Sequence, residues 1–236
     1  MTNLEYMDSE FKRYNFTFSE EQLRQFYTFY EMLVEKNKVM NLTGITEFKE
    51  VVEKHFLDSI LVANYIDFHD GARVIDMGTG AGFPGIPLKI AFPHLDMILM
   101  DSLNKRILFL DDVVEKLGLT SISTIHARAE ELSRQKEYRE QFDYCVSRAV
   151  ANMSSLLEYS VPFVKCGGKF ISYKSSDIKE EVENAKNAAS ILGAKLKQIH
   201  SFDLNGQGRS FVEYDKIKNT GKKYPRKAGV PTRQPL

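Results

Sequence analysis

The sequence predicts an α/β fold in which helices cover both faces of a doubly wound, mostly parallel sheet of seven strands. From residue 72 onward, short apolar segments typical of strands alternate with helical segments, and this alternation is typical of parallel sheets. Two helical segments precede the first strand and predict an N-terminal helical layer. The last two strands flank the segment LNGQG, whose Asn-Gly pair predicts an antiparallel hairpin.

The N-terminal helical layer is predicted from two amphipathic segments. The first covers residues 19–36, begins with a capping box formed by Ser19 and Gln22, and repeats apolar side chains at helical spacing. The second runs from about residue 47 to residue 66 and is expected to begin after a cap at Thr46. We expect this layer, residues 1–70, to pack on the sheet.

The sheet is predicted from seven strands and the helices between them. The strands are expected at residues 72–78, 95–101, 122–127, 142–149, 169–174, 195–202 and 209–217. The helices are expected at residues 85–92, 105–118, 152–164 and 178–192, with a turn at Gly167-Gly168 before the fifth strand. The prediction is one domain overall, with the sheet at 71–217 and a basic C-terminal tail at 218–236.

Composition indicates a soluble globular protein. Hydrophobic residues make up 43% of the chain and charged residues 27%, which excludes disordered, collagenous and coiled-coil classes. Cys145 and Cys166 cannot form a disulfide framework, and no spaced Cys/His set predicts a metal site. Since neither a secretory signal nor an apolar segment of membrane length is visible, we expect a cytoplasmic monomer without metal or membrane contact.

Charge is unevenly distributed along the chain. The 32 basic and 32 acidic residues cancel overall, but the residues from Lys216 onward include seven basic and no acidic side chains. The first 215 residues therefore hold 25 basic against 32 acidic residues, a net charge of −7. A basic end on an acidic body indicates a polyanionic partner.

A glycine-rich segment, VIDMGTGAGFPG at residues 74–85, follows the first predicted strand and precedes a helix. In such folds, ligands bind at the carboxyl ends of the strands. Gly78 lets the chain leave the strand sharply, and Gly80 and Gly82 remove side chains so that a ligand can lie against the backbone. A dinucleotide-binding fingerprint requires its third glycine at position 83, which is Phe83.

The pattern D-x-G-x-G-x-G, led by Asp76, instead resembles the first motif of the class I methyltransferases, which use S-adenosylmethionine. Asp101 ends the second predicted strand, 25 residues after Asp76. A carboxylate at this place can accept hydrogen bonds from both hydroxyls of a ribose. The general class I layout thus makes Asp76 and Asp101 candidate cofactor residues. The alternative is a tight strand–helix turn with incidental glycines.

Five segments, at residues 41–60, 77–90, 127–132, 147–175 and 221–236, together resemble the bacterial ribosomal RNA small subunit methyltransferase G family, also called glucose-inhibited division protein B. The resemblance implies a Rossmann-like class I methyltransferase fold. It also implies methyl transfer from S-adenosylmethionine to N7 of one guanine in the decoding-region hairpin of 16S rRNA, as rRNA or within the small ribosomal subunit.

The resemblance also implies roles for single residues. Gly78 and Phe83 match cofactor-loop contacts of the family, and Ala129 and Glu130 match the pair that meets the adenine end. Arg148 matches the arginine that completes the cofactor pocket. The alternatives are that Phe83 belongs to the core, that Glu130 is a helix N-terminal charge, and that Arg148 pairs with a nearby acid or holds a target phosphate.

The implied chemistry requires few protein groups. The lone pair of guanine N7 is free before attack, so placing N7 in line with the methyl group and sulfur supplies most of the effect. No side chain is identified as a catalytic base, and His55 is expected to be a packing histidine. Cys145 and Cys166 are expected to be small core residues and not nucleophiles. Arg148 and Lys174 are the candidates for positioning the substrate.

The C-terminal tail is the candidate RNA-binding segment. Its cations and the ring of Tyr224 suit phosphates and a stacked base. The RNA-binding candidates are Lys222, Lys223, Tyr224, Arg226 and Lys227. A disordered end is the alternative for the tail. For the whole chain, the alternatives are a methyltransferase acting on another RNA or a small molecule, and a non-catalytic ribosome- or RNA-binding module with a vestigial cofactor site.

Overall fold

One mixed sheet forms the centre of the computed structural model, which describes residues 1–148 and 151–236. Its strands are β1 (Arg73–Met77), β2 (Asp96–Asp101), β3 (Ile122–His126), β4 (Phe142–Arg148), β5 (Val164–Ser175), β6 (Ala194–Leu204) and β7 (Gln207–Lys216). They lie in the order β3-β2-β1-β4-β5-β7-β6. Strands β1 to β5 are parallel, and β7 runs antiparallel to both β5 and β6. The predicted fold class is confirmed.

Helices cover both faces of this sheet. They are α1 (Asn3–Arg13), α2 (Glu20–Met40), α3 (Phe48–Val51), α4 (Asp58–Ile60), α5 (Gly85–Ala91), α6 (Asn104–Lys116), α7 (Ala129–Leu132), α8 (Met153–Ser160), α9 (Lys179–Asn184), α10 (Lys186–Leu192) and α11 (Val230–Arg233). Alternate strand residues point to opposite faces. Val74 and Val146 accordingly belong to the core under α1–α6, and Ile75 and Cys145 to the core under α7–α10.

The N-terminal layer begins one helix earlier than the sequence indicated. Helix α1 was not predicted, although Thr2 and Glu5 form a capping box at its start. Helix α2 begins as predicted, because the Ser19 side chain accepts from the Gln22 N–H at 3.2 Å and the Gln22 side chain accepts from the Ser19 N–H at 3.0 Å. The described chain contains no helix with the length and apolar character that a membrane crossing requires.

The second predicted helix, residues 47–66, is not a single α-helix. Its N-cap is Glu47 and not Thr46, since the Glu47 side chain accepts the N–H of Glu50 at 2.9 Å. Helix α3 continues into a π-helical turn at Val52–Leu57, then α4, then a 3-10 turn at Leu61–Asn64. Single π turns inside helices are often found at functional sites. This one contains His55 and is followed at once by Asp58.

The predicted fourth strand matches β4 as far as Arg148, and its last position, 149, lies outside the described residues. Two further boundaries differ from the prediction. The expected Gly167-Gly168 turn lies inside β5, where Phe142 pairs with Val164 and Tyr144 with Lys169 and the extra β5 residues form a bulge. The helix predicted at 178–192 is divided into α9 and α10. The predicted hairpin is confirmed, with Asn205 and Gly206 as its two turn residues.

Candidate active site

The glycine-rich loop leaves β1 at the carboxyl edge of the sheet. Gly78, Gly80 and Gly82 have φ angles of +74°, +61° and +99°, a region that L side chains rarely adopt. The N–H groups of Gly78 and Thr79 both donate to the Met100 carbonyl at 3.0 Å. The loop therefore makes the sharp exit from the strand that the sequence predicted.

Gly80 and Gly82 do not serve the same purpose. A Cβ at Gly82 would lie 2.8 Å from Ile86 and 2.9 Å from Leu110, whereas at Gly80 the nearest atom is the Gly78 carbonyl oxygen at 4.0 Å. Gly82 is thus required by close packing on the core. The space that the sequence assigned to a ligand at Gly82 is already filled by protein, and this corrects that expectation.

Asp76 lies beneath the loop and does not line either of the two cavities described below. Its Oδ2 accepts the hydroxyl of Thr79 at 2.6 Å and the N–H of Gly85 at 2.8 Å. Burial raises the pKa of this carboxyl to about 7. In this position Asp76 acts on the shape of the loop, so any effect on a bound ligand is indirect.

Asp101, at the end of β2, joins the loop to the neighbouring strand. Its Oδ2 accepts the Gly80 N–H at 2.9 Å and the Arg106 guanidinium at 3.1 Å, and its Oδ1 accepts the Leu103 N–H at 2.9 Å. The side chain is almost fully buried and lines a cavity at this edge of the sheet. This is the place that the sequence predicted for a ribose-binding carboxylate.

The cavity beside Asp101, here called the β1–β3 cavity, measures about 380 Å³. It is lined by Met77, Gly78, Met100, Asp101, Ser102, Arg106, Ala127, Arg128, Ala129, Glu130, Tyr159, Gly229 and Thr232. Four of the predicted cofactor residues are therefore brought together, namely Gly78, Asp101, Ala129 and Glu130. Carboxylates that accept hydrogen bonds and a glycine backbone fit a ligand with a ribose and an amino-substituted ring.

The residues of the β1–β3 cavity that sequence reasoning missed include Tyr159, Gly229 and Thr232. The Glu130 Oε1 accepts the Gly229 N–H at 3.0 Å, and the hydroxyls of Tyr159 and Thr232 are 2.7 Å apart. Gly229 and Thr232 belong to the C-terminal tail, whose composition pointed to solvent or RNA. No local pattern predicts these contacts, because Gly229 lies 99 residues from Glu130 and Thr232 lies 73 residues from Tyr159.

A second cavity, here called the β4–β7 cavity, lies at the carboxyl ends of β4 and β5 and measures about 630 Å³. It is lined by Ile45, Lys54, His55, Asp58, Arg148, Tyr173, Lys174, Ser175, Gln207, Arg209, Ser210 and Phe211. Four cationic side chains face one carboxylate in this set. Such a lining suits a polyanionic ligand.

Arg148 lines the β4–β7 cavity and is absent from the lining of the β1–β3 cavity. It donates to Asp58 at 2.8 Å, and Asp58 also accepts from Arg209 at 3.1 Å. The Arg148 guanidinium lies 4.8 Å from the ring centre of Phe83. Arg148 thus pairs with an acid, which is one of the alternatives that the sequence left open. It also lines a cavity separate from the one at Asp101.

Phe83, predicted as a cofactor residue, lines neither cavity and packs against His55, which lines the β4–β7 cavity. Phe83 is buried, and its ring centre lies 4.5 Å from that of His55. Burial, followed by the nearby charge of Arg148, lowers the pKa of His55 to about 3. His55 Nε2 lies 2.8 Å from the Thr43 hydroxyl. His55 is therefore neutral near pH 7, as a packing histidine would be, although it also lines the cavity.

Lys174 lies at the end of β5 and lines the β4–β7 cavity as expected. Its ammonium donates to the Ala151 carbonyl at 2.8 Å and to Glu181 at 2.7 Å. Only 14% of the side chain is exposed. Lys174 is consequently held in place at the cavity and is not a freely solvated strand end.

The RNA-binding candidates of the tail fall into two groups. Lys222, Lys223 and Lys227 are exposed. Tyr224 is 7% exposed, and Arg226 is paired with a buried glutamate of α8. The expectation that Tyr224 offers an exposed face for a stacked base is therefore corrected. The tail is folded against the body of the protein, so the disordered alternative is also corrected.

Metal and cysteine chemistry receive no support from the described residues. Residues 1–148 and 151–236 contain no cluster of three or more His, Cys, Asp or Glu side chains that could hold a metal ion. Burial raises the pKa of the Cys145 thiol, which keeps it protonated. Cys166 is exposed and not the core residue that was expected, and it lies outside both cavities. The thiolate is the nucleophilic form of cysteine. Neither cysteine is placed to attack a substrate.

Comparison with known protein families gives one match over most of the chain. The GidB family model, described as rRNA small subunit methyltransferase G, matches residues 22–212. A ribosomal RNA small subunit methyltransferase G from Lachnoclostridium phytofermentans is 51% identical over 217 residues, which are 91% of this chain and 90% of that protein. The protein of the same name from Exiguobacterium sp. is 49% identical and covers 94% of each chain.

Solved structures are similar in fold at low sequence identity. TYW2 of M. jannaschii, solved in complex with AdoMet, superposes with a TM-score of 0.56 at 17% identity, over 74% of this chain and 80% of that one. TrmN from Thermus thermophilus superposes with a TM-score of 0.53 at 16% identity, over 70% of this chain and 53% of that one. These similarities establish the fold.

Proposed function

The chain belongs to the rRNA small subunit methyltransferase G family, and from this premise we propose that it transfers the methyl group of S-adenosylmethionine to N7 of a guanine in 16S rRNA. We assign the acceptor to the decoding-region hairpin. The observation that carries the proposal is the pair of cavities at the carboxyl edge of the sheet, one suited to the cofactor and the other to a nucleotide. Since one chain supplies both cavities, we propose that a monomer in the cytoplasm is active.

The β1–β3 cavity supports the cofactor part of the proposal. S-adenosylmethionine supplies an electrophilic methyl group on its sulfonium. Asp101 would accept hydrogen bonds from the ribose hydroxyls, and Ala129 and Glu130 would meet the adenine ring. Gly78 and Gly80 leave room for the methionine moiety against the loop backbone. These assignments use carboxylates and glycines that already line or adjoin the cavity.

The β4–β7 cavity supports the acceptor part of the proposal. Lys54, Arg148, Lys174 and Arg209 give it cationic donors, which attract RNA phosphates without selecting a sequence. An arginine commonly reads guanine through O6 and N7. N7 must stay free to attack the methyl group, so the arginines would donate to O6 or to a phosphate. Arg148 and Arg209 are both held by Asp58, which limits their motion.

Among the described residues that line the β4–β7 cavity, no histidine is suited to accept a proton near pH 7, which is consistent with N7 as the attacking atom. His55 is the histidine in the β4–β7 cavity, and its pKa of about 3 makes it a poor proton acceptor near pH 7. Attack by N7 releases no proton, so no base is required. The enzyme would act by holding N7, the methyl carbon and sulfur in line, through proximity and orientation.

The proposal is tested by incubating the protein with labelled S-adenosylmethionine and small ribosomal subunits prepared without their native methylations. Strand cleavage selective for 7-methylguanine then locates the product. We expect one cleavage site, in the decoding-region hairpin of 16S rRNA. Cofactor binding without transfer would indicate another acceptor. A protein that does not bind the cofactor would instead be a ribosome- or RNA-binding module.

A further inference from the structure

The C-terminal tail, residues 218–236, is fixed to the body of the protein at several points. The first is the segment between α7 and β4, where two arginines donate to backbone carbonyls of the tail. Arg139 donates to the carbonyls of Thr220 at 2.7 Å and Tyr224 at 3.0 Å, and Arg134 donates to that of Lys223 at 3.2 Å. Backbone carbonyls satisfied in this way define one path for the chain.

The second attachment is an ion pair with α8. Glu158 is completely buried, and its carboxylate accepts the Arg226 backbone N–H at 2.7 Å and the guanidinium at 2.6 and 2.9 Å. A buried carboxylate without its partner is strongly unfavourable. Arg226 therefore fixes the middle of the tail against α8.

The third attachment lies at the β1–β3 cavity itself. The Ser155 hydroxyl donates to the Pro231 carbonyl at 2.8 Å, and the hydroxyls of Thr232 and Tyr159 are 2.7 Å apart. The Gly229 N–H donates to Glu130 Oε1 at 3.0 Å. Gly229 and Thr232 line the cavity together with Glu130 and Tyr159.

We propose that Gly229–Thr232 forms one wall of the cofactor site, and that Arg226 is a positioning residue that holds this wall in place. The inference rests on the proposed function for the identity of the cofactor. Gly229 donates to one oxygen of Glu130 and so leaves the other oxygen able to accept from a ligand donor such as the adenine amino group.

As a wall of the cofactor site, the tail has a role different from RNA binding. The exposed lysines Lys222, Lys223 and Lys227 do not line the cavity, whereas Gly229 and Thr232 do. Loss of the wall should weaken cofactor binding, while loss of the lysines should leave it unchanged. This difference allows the two roles of one short segment to be separated by substitution.

The test measures binding of S-adenosylhomocysteine by calorimetry, because this product of the cofactor cannot turn over. A chain that ends at Ala228 keeps Arg226 and its ion pair but lacks the wall, and we expect its Kd to rise at least tenfold. The control is the triple variant Lys222→Ala/Lys223→Ala/Lys227→Ala, which should bind like the wild type. A shortened chain with the wild-type melting temperature and a Kd within twofold of wild type would overturn the proposal.

Point variants test the proposed wall if the shortened chain fails to fold. Thr232→Val removes one hydroxyl at nearly constant shape and breaks the contact with Tyr159. The wall is then held less firmly, and we expect a rise in Kd of about threefold. Arg226→Gln should weaken binding more than Arg226→Lys, which retains the charge. Unchanged Kd in Thr232→Val and Arg226→Gln would also overturn the proposal. Failure of the wild type to bind would instead contradict the proposed function.

Discussion

The two cavities beside the glycine-rich loop lie at the same edge of one sheet but differ in charge. The β1–β3 cavity is lined by two carboxylates, Asp101 and Glu130, and two arginines, Arg106 and Arg128, while the β4–β7 cavity has four cations and the single carboxylate Asp58. The first fits a ligand with both hydrogen-bond donors and acceptors, and the second fits a polyanion. We therefore expect the edge of one sheet to bind two ligands of different chemistry.

The two cavities also differ in how the chain builds them. Three sides of the β1–β3 cavity come from consecutive strand ends, each followed by its own loop. The β4–β7 cavity combines the π turn with His55, the end of β4 with Arg148, and the antiparallel β7 with Arg209. Its residues therefore belong to segments far apart in sequence. A sequence motif can predict the first cavity, whereas the residues of the second come together only when the chain folds.

The largest expected effect comes from Arg148→Gln, which tests whether the two cavities are functionally separate. We expect methyl transfer to fall at least a hundredfold, because a cationic donor of the acceptor cavity is lost. The Kd for S-adenosylhomocysteine should stay within threefold of wild type, since Arg148 does not line the β1–β3 cavity. A tenfold rise in that Kd would instead support the cofactor role that the family resemblance implies for Arg148.

Stability needs its own control in this experiment, because removing Arg148 leaves Asp58 with Arg209 alone. Breaking a buried ion pair costs about 3–5 kcal/mol. The double variant Arg148→Gln/Asp58→Asn also removes the buried carboxylate that has lost one of its two cations, while Arg209 still contacts Gln207, and it should recover much of the lost melting temperature. Transfer should remain low in the double variant. Recovery of both properties would assign Arg148 to the fold and not to the acceptor.

Asp101→Asn should produce the next largest effect, confined to the β1–β3 cavity. The carboxylate accepts from Gly80 and Leu103 and faces the cavity. Loss of a hydrogen bond to a charged group costs about 1.5–3 kcal/mol, so the Kd for S-adenosylhomocysteine should rise by about tenfold to a hundredfold. Calorimetry measures this change. Asp96→Asn, at the other end of β2 and exposed, is the control and should leave Kd unaltered.

The lowered pKa of His55, in the β4–β7 cavity, predicts how stability depends on pH. Burial and Arg148 lower its folded-state pKa to about 3, against about 6.5 in the unfolded chain. Between these values the unfolded chain binds a proton that the folded chain does not, so stability falls as pH decreases from 6.5. The expected loss at this site is about 2 kcal/mol at pH 5.

Urea unfolding at pH 8 and pH 5 checks this expectation. The free energy of unfolding should decrease by about 2 kcal/mol more in the wild type than in His55→Gln. The raised pKa of Asp76 acts in the opposite direction, but it is present in both proteins and cancels in the comparison. The exposed His126→Gln is the control substitution. Equal pH dependence in wild type and His55→Gln would mean that His55 is not the neutral group described above.

The sequence predicted those features that rest on local patterns. Alternating apolar segments gave the sheet, Asn205-Gly206 gave the hairpin, and the position of Asp101 after β2 gave a cavity-lining carboxylate. The π turn was missed, because its apolar side chains repeat at nearly the spacing of an α-helix. It brings His55 to the β4–β7 cavity, where Asp58 follows.

The course of the C-terminal tail could not be predicted for a different reason. Its lysines, glycines and prolines are typical of a mobile end, and its attachments depend on partners elsewhere in the chain. Glu158 on α8 and Arg139 before β4 carry no sign in the sequence that they bind this segment. Long-range ion pairs and carbonyl contacts of this kind have no sequence period. The prediction that Tyr224 binds RNA rested on the composition of the tail alone.

The smallest effect is expected for the exposed lysines of the tail, which contact neither cavity. Each lysine that neutralises an RNA phosphate contributes about 1 to the slope of log binding constant against log salt concentration. Lys222→Ala/Lys223→Ala/Lys227→Ala should therefore lower the magnitude of that slope by up to about 3, while leaving cofactor affinity unchanged. RNA binding measured across a salt series gives the slope.

The matched control for the tail variant removes the same charge elsewhere. Lys12→Ala/Lys116→Ala/Lys186→Ala changes one exposed lysine on each of α1, α6 and α10. If general surface charge governed RNA binding, both triple variants would change the slope equally. A larger change in the tail variant would mean that RNA passes over the segment whose next residues, Gly229–Thr232, line the β1–β3 cavity. The tail would then contact RNA on its outer side and the cofactor on its inner side.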